Sequence, residues 1–119
     1  MTLLHWAGRA GSPKILRLML DRCRTLRLEE KDAWGWTPLL WAAYHGNVDV
    51  LGMLIDFDAN KNVQDPDGRT PLSWAANEGH ADAVICLLAK CARRVLEDKD
   101  GKTARDWAKT DEIRALFDC

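Results

Sequence analysis

The sequence has no run of about 18 apolar residues, so no segment is read as a bilayer-spanning helix. Nor does it show a charged region, apolar run and small-residue cleavage site in the arrangement of a secretory signal. It also has little charge of one sign. Seventeen Lys and Arg against eighteen Asp and Glu leave a net charge of −1, with the two signs mixed along the chain. No nucleic-acid or membrane partner is expected, because no large single-sign field is available to attract one. The basic cluster Arg17, Arg22, Arg24 and Arg27 is offset by Glu29, Glu30 and Asp32. There is no low-complexity stretch, and 47% apolar with 29% charged residues is ordinary globular composition. Residues 1–119 fit a single domain with one continuous core.

The signatures of chemistry are missing too. Cys23, Cys86, Cys91 and Cys119 lack the close pairing of a zinc knuckle and are read as reduced thiols of a cytoplasmic or nuclear protein. The chain has no phosphate loop, no metal-binding His pair at helical spacing and no nucleophile elbow. Asp65-Pro66-Asp67-Gly68 resembles the opening of a calcium loop, but the later ligands and closing Glu are absent, and a turn explains it. No enzyme, metal or cofactor is therefore expected.

What the sequence does contain is a repeat. Thr37-Pro38-Leu39-Leu40-Trp41-Ala42-Ala43 matches Thr70-Pro71-Leu72-Ser73-Trp74-Ala75-Ala76 at an offset of 33. A further 33 residues on stands Thr103-Ala104-Arg105-Asp106-Trp107-Ala108, and 35 residues before Thr37 stands Thr2-Leu3-Leu4-His5-Trp6-Ala7. Gly11, Gly46 and Gly79 keep the same phase, as do the apolar pairs Ile15-Leu16, Val50-Leu51 and Ala83-Val84. Each unit reads as a helix pair. Thr caps the first helix, and Pro fits its first position because no N–H is needed there. The mid-unit Gly ends that helix in the left-handed conformation. A second helix follows, from Val48 to about Asp56 or from Ala81 to about Lys90, with apolar residues at helical spacing. Asp65-Pro66-Asp67-Gly68 and Asp98-Lys99-Asp100-Gly101 are turns between units.

The period of 33, the Thr-Pro-Leu start, the Ala-Ala pair and the mid-unit Gly resemble the ankyrin repeat over essentially the whole chain. The resemblance implies an all-α solenoid of stacked antiparallel helix pairs with hairpin-like loops. Two full repeats (32–64 and 65–97) stand between partial ones (2–31 and 98–119). No unit is stable alone; each buries its neighbour's apolar face. The family's His after Thr-Pro-Leu survives only as His5, with Leu40, Ser73 and Asp106 elsewhere, so less uniform loops are expected. His5 and His80 are given structural roles. The family's Gly after the second helix is Asp58 in one unit and Cys91 in the next. Asp tolerates a left-handed backbone and Cys does not, so a different turn is expected after Lys90. Cys86 is assigned to packing and Cys119 to an exposed end. The shortened segment Asp111–Phe117 reads as a terminal cap, although the incomplete first unit also fits a piece of a longer array.

Six tryptophans are the compositional anomaly. Trp6, Trp41, Trp74 and Trp107 share one repeat position before the small Ala residues and are assigned to the core. Trp34 and Trp36 flank Gly35, where the later units carry Asp67 and Arg69, then Asp100 and Lys102. In ankyrin repeats the residues flanking this Gly point out from the loop, so both tryptophans are expected to project as interface anchors. The alternative is that they cover Leu26 and Leu28 of the first unit. Tyr44, His45, Asn77, Glu78 and Arg9 resemble the family's variable groove positions. Together Arg9, Trp34, Trp36, Tyr44, His45, Asp67, Arg69, Asn77, Glu78 and Lys102 are expected to form a partner-binding surface, aromatic at the centre and charged at the edge. The expected function is non-enzymatic recognition of another protein by a chain that is monomeric or part of a larger one. The alternative is a small-molecule-binding or catalytic domain using Trp34, Trp36, Tyr44 and His45, which would need a closed cavity with His45 and a carboxylate converging on it.

Overall fold

A computed structural model describes residues 13–22 and 29–118. His5, Trp6, Arg9, Gly11, Cys23, Leu26, Leu28 and Cys119 lie outside the described residues, and with them the expectations attached to those positions. The described elements are α1 (Pro13–Arg22), α2 (Pro38–His45), α3 (Val48–Asp56), α4 (Pro71–Asn77), α5 (Ala81–Ala89), a 3-10 turn (Arg105–Trp107) and α6 (Asp111–Leu116). The described residues include no strand.

The helix starts follow the local chemistry of the repeat. Thr37 and Thr70 are extended, and each hydroxyl accepts the N–H three residues on, from Leu40 at 3.4 Å and Ser73 at 3.2 Å. Thr110 does the same for α6, accepting from Ile113 N–H at 3.2 Å. Thr103 is followed by Ala rather than Pro, and its unit forms only the 3-10 turn where the two before it form α2 and α4. Gly46 ends α2 with φ 70°, and a Cβ there would lie 2.6 Å from His80 Nδ1. The same His80 donates from Nε2 to the Tyr44 carbonyl at 2.9 Å, so Gly46 lets the next unit's imidazole reach the end of α2.

Stacking is between like elements: α2 packs on α4, α3 on α5, α4 on the 3-10 turn and α5 on α6, while α1 lies against α3. The buried core is correspondingly periodic. Leu39, Ala42 and Ala43 recur as Leu72, Ala75 and Ala76; Ala108 continues the Ala42 and Ala75 position, and Ala104, at the position of Pro38 and Pro71, is buried with it. Val50, Leu51 and Leu54 recur as Ala83, Val84 and Leu87, and Leu16, Ile113 and Phe117 close the ends of this cluster. The alanines keep the first helices close enough to share one apolar layer.

Two expectations are overturned. Cys91 adopts φ 65°, close to the φ 69° of Asp58, and the turns after α3 and α5 coincide. Ala59 N–H donates to Leu54 O and Ala92 N–H to Leu87 O, both at 3.0 Å. Burial of Ala92 and pairing of its N–H hold the turn closed, so the side chain that follows Lys90 conforms rather than the backbone. Nor are the loops irregular for want of the family's His. Asp32, Asp65 and Asp98 each donate N–H to the carbonyl four residues on, of Trp36, Arg69 and Lys102, at 2.9, 2.9 and 3.0 Å. The three hairpins are alike because one Asp organises each of them.

Candidate functional site

The same three aspartates build the surface that the loops present. Oδ1 of Asp32 accepts the N–H of Trp34 (2.9 Å) and Trp36 (3.1 Å). Asp65 Oδ1 accepts from Asp67 (3.0 Å) and Arg69 (2.9 Å), and Asp98 Oδ1 from Asp100 (2.9 Å) and Lys102 (3.0 Å). Each Oδ2 accepts the indole N–H nine residues downstream: Trp41 at 2.6 Å, Trp74 at 2.9 Å and Trp107 at 2.6 Å. One carboxylate therefore fixes both the hairpin and the tryptophan of the helix that follows. Around Asp98, burial raises the carboxyl pKa. The Lys102 N–H, the Trp107 indole, the Asp100 N–H and the Arg69 charge outweigh that, and the net direction is downward.

This corrects the assignment of the repeat tryptophans to the core. Trp41, Trp74 and Trp107 are half-buried and lie outside the fully buried cluster. An indole N–H in the apolar layer would lack an acceptor, and the loop carboxylate supplies one at the layer's edge. The nine-residue spacing of Asp and Trp is visible in the sequence and was the signal available for this site.

The residue after the hairpin Gly is also placed differently from the expectation. Trp36 does not project. Its ring packs 4.8 Å from Trp41 and 5.1 Å from Trp74, between its own unit's indole and the next one's. Arg69 repeats the placement, with its guanidinium 4.9 Å from the Trp74 ring and 4.2 Å from that of Trp107, and Lys102 Nζ lies 4.7 Å from Trp107. The result is a column running Trp41, Trp36, Trp74, Arg69, Trp107, Lys102. Arg69 Nε is buried without a hydrogen-bond acceptor, 3.9 Å from Asp98 Oδ2, so charge attraction and the two indole faces hold the guanidinium.

Trp34 is the tryptophan that projects. It is 62% exposed and meets Trp41 edge-on at 6.0 Å. Tyr44 stands edge-on to Trp36 and Trp74 at 5.5 and 5.4 Å. Trp34, Trp36, Trp41, Tyr44, Trp74 and Glu78 line an open groove of about 340 Å3 across the second and third units. Asn77 Nδ2 donates to Glu78 Oε2 at 3.2 Å. Of the expected surface, the structure thus brings Trp34, Trp36, Tyr44 and Glu78 together, with Asn77 alongside and Arg69 and Lys102 further along the column. Asp67 lies apart on an exposed loop tip, its carbonyl accepting from Lys99 N–H at 2.9 Å. Trp41 and Trp74 are groove residues that the sequence reading placed elsewhere. His45 is exposed and stacks on Trp41 at 5.9 Å, and it is not among the residues lining the groove. The closed cavity with a converging His45 that a catalytic reading requires is not what the groove provides.

With this geometry goes a family. The profile describing ankyrin repeats in three copies matches residues 1–65 and again 53–116, and the chain belongs to the ankyrin-repeat family. It is 41% identical over 56 residues to human ankyrin repeat and SOCS box protein 3, covering 47% of this chain and 10% of that protein. It is 40% identical over 65 residues to inversin of the dog Canis lupus familiaris, 55% of this chain and 6% of inversin. With the 26S proteasome non-ATPase regulatory subunit 10 of Dictyostelium discoideum it shares 33% over 59 residues, 50% of this chain and 25% of that subunit. The chain thus matches a quarter or less of the length of each of these relatives. Ankyrin repeats are in general protein-interaction modules, and they are generally not catalytic.

Proposed function

We propose that the chain is a non-enzymatic binding module that holds a protein partner in the groove between its second and third units. The observation that carries this reading is Trp34. It is a large apolar ring left 62% exposed at the mouth of an aromatic groove, on a loop whose backbone needs no tryptophan there. Asp67 occupies the corresponding place in the next unit with the same hydrogen bond to its Asp. Aromatic anchors ringed by polar groups are what protein interfaces concentrate at their centres. One relative's name joins ankyrin repeats to a SOCS box, and another's is that of a regulatory subunit of the proteasome, a component of a protein assembly; both are in keeping with the reading. The free thiols of Cys86 and Cys91 favour a reducing compartment, the cytoplasm or nucleus.

The test is affinity capture with the wild-type chain, Trp34→Ala and Glu78→Ala, after showing that all three melt alike. Loss of a specifically captured protein in either variant supports the groove as the contact. A captured set unchanged by both substitutions removes it.

A further inference from the structure

We infer that the chain pairs weakly with a second copy of itself, back to back, through the outer layer formed by α1, α3 and α5. This face lies away from the groove, whose lining residues all fall outside these three helices.

The layer is a repeated pattern of its own. α1 packs on α3 and α3 on α5. Counting from the first residue of each helix puts Lys14, Asp49 and Asp82 in one row, Arg17, Gly52 and Ile85 in a second, and Leu18, Met53 and Cys86 in a third. Gly52, Met53 and Cys86 are half-buried, and the other six are exposed. Among the described residues, three of the five large apolar side chains left in solvent belong to this layer: Leu18, Ile85, and Phe57 at the end of α3. Exposed apolar side chains gathered on one face mark a contact surface.

Gly52 marks the centre of that surface. It stands in the interior of α3, where glycine weakens a helix. The fold does not ask for it. Its φ is not positive, and a Cβ there would meet only Cys86 Sγ at 4.0 Å, an ordinary contact. The missing side chain leaves a notch in the middle of the layer, where another helix can come close.

Charge then chooses the occupant. The first row changes sign across the layer, from Lys14 on α1 to Asp49 on α3 and Asp82 on α5, and Arg17 adds to the basic edge. At the other end of the helices Asp56 is already paired with Lys90 at 2.6 Å. A face that is basic along one edge and acidic along the other is complementary to itself. A two-fold axis running along α3 lays α1 of each copy on α5 of the other. It sets Lys14 and Arg17 against Asp82, and Leu18 against Ile85, twice over. Gly52 meets its own copy on the axis and lets the two α3 helices cross closely. The crossing angle splays the two Asp49 side chains, one turn away. A foreign helix of a single charge would suit one edge and be repelled by the other. Three helices about 14 Å long, spaced about 10 Å apart, make a face on the order of 400 Å2, against about 800 Å2 a side in a standard interface. The pair is therefore weak and exchanges with the monomer. It turns the two grooves in opposite directions, so the pair is bivalent.

Sedimentation velocity from about 10 µM to about 1 mM, at low and high salt, tests this. We expect the average mass of the wild type to climb toward that of a dimer with concentration, and salt to reduce the climb. Gly52→Gln should weaken pairing roughly tenfold while the melting temperature holds or rises, because glutamine favours helix and its Cβ has room. Lys14→Asp and Asp82→Lys should each be monomeric alone and should pair when mixed, since each copy then faces opposite charge at both contacts. Trp34→Ala should pair as the wild type does. A monomer at every concentration would leave the layer to a different protein and overturn the inference. So would self-association that survives Gly52→Gln, that mixing the two charge variants does not restore, or that Trp34→Ala abolishes.

Discussion

Asp65 holds Trp74 by a 2.9 Å hydrogen bond from the indole nitrogen to Oδ2, and with its other oxygen holds the backbone of the loop between them. Asp65 is 6% exposed, so its three donors have little water to turn to if it is removed. Asp65→Ala should cost about 3 kcal/mol, the penalty for stranding several donors near the core. Asp65→Asn should cost less, since its carbonyl can still serve the loop while its amide opposes the indole. Urea unfolding followed by tryptophan fluorescence measures both, and a loss below about 0.5 kcal/mol for the Ala variant would show that the loop closes without the carboxylate.

The tryptophans flanking Gly35 should separate sharply in stability. Trp36, wedged between Trp41 and Trp74, should cost about 3 kcal/mol on truncation to Ala. Trp34, largely in solvent, should cost about 0.5 kcal/mol. Thermal melts of the two single variants decide it; equal losses would contradict the stacking order along the column.

Acid should loosen the last hairpin through Asp98. Its folded-state pKa lies below the unfolded one, so its stabilisation is present at pH above the unfolded value and is lost as pH falls through the folded value. Stability measured from neutral pH into the acid range should therefore decline below the usual carboxylate pKa, and Asp98→Asn should show a shallower decline. Superimposable profiles for the two proteins would exclude Asp98 as a contributor.

Cys91→Gly should stabilise the chain by about 1 kcal/mol. The left-handed backbone at φ 65° strains any residue with a Cβ, and the side chain is exposed, so little packing is lost. Chemical denaturation at fixed reductant concentration is the measurement. A destabilised Gly variant would mean that the Cys91 side chain makes a contact worth more than the strain.

The stack was legible in the sequence because its cause is local and repeated. Thr-Pro starts, mid-unit glycines and helical apolar spacing each act within a few residues, and Thr37, Pro38 and Gly46 do in the structure what their chemistry dictates. The site was half legible. Trp34 and Tyr44 could be singled out as aromatic residues at positions that other units fill with polar ones. Trp41 and Trp74 could not be separated from the core by apolarity, because the property that draws them to the surface is the indole N–H, and its acceptor lies nine residues back in a loop. Trp36 was misplaced for a related reason. Whether a loop side chain projects or intercalates depends on the rings of two successive units, and the sequence of one unit does not contain both.

The column has one further consequence. The backbone of the hairpins is nearly the same from unit to unit, yet the occupant of one register passes from a neutral ring at Trp36 to a delocalised cation at Arg69 and a point charge at Lys102. The face is thus electrically directional on a scaffold that is not. Anything positive that slides along it meets attraction at one end and repulsion at the other, so a ligand's orientation is set before its contacts are made.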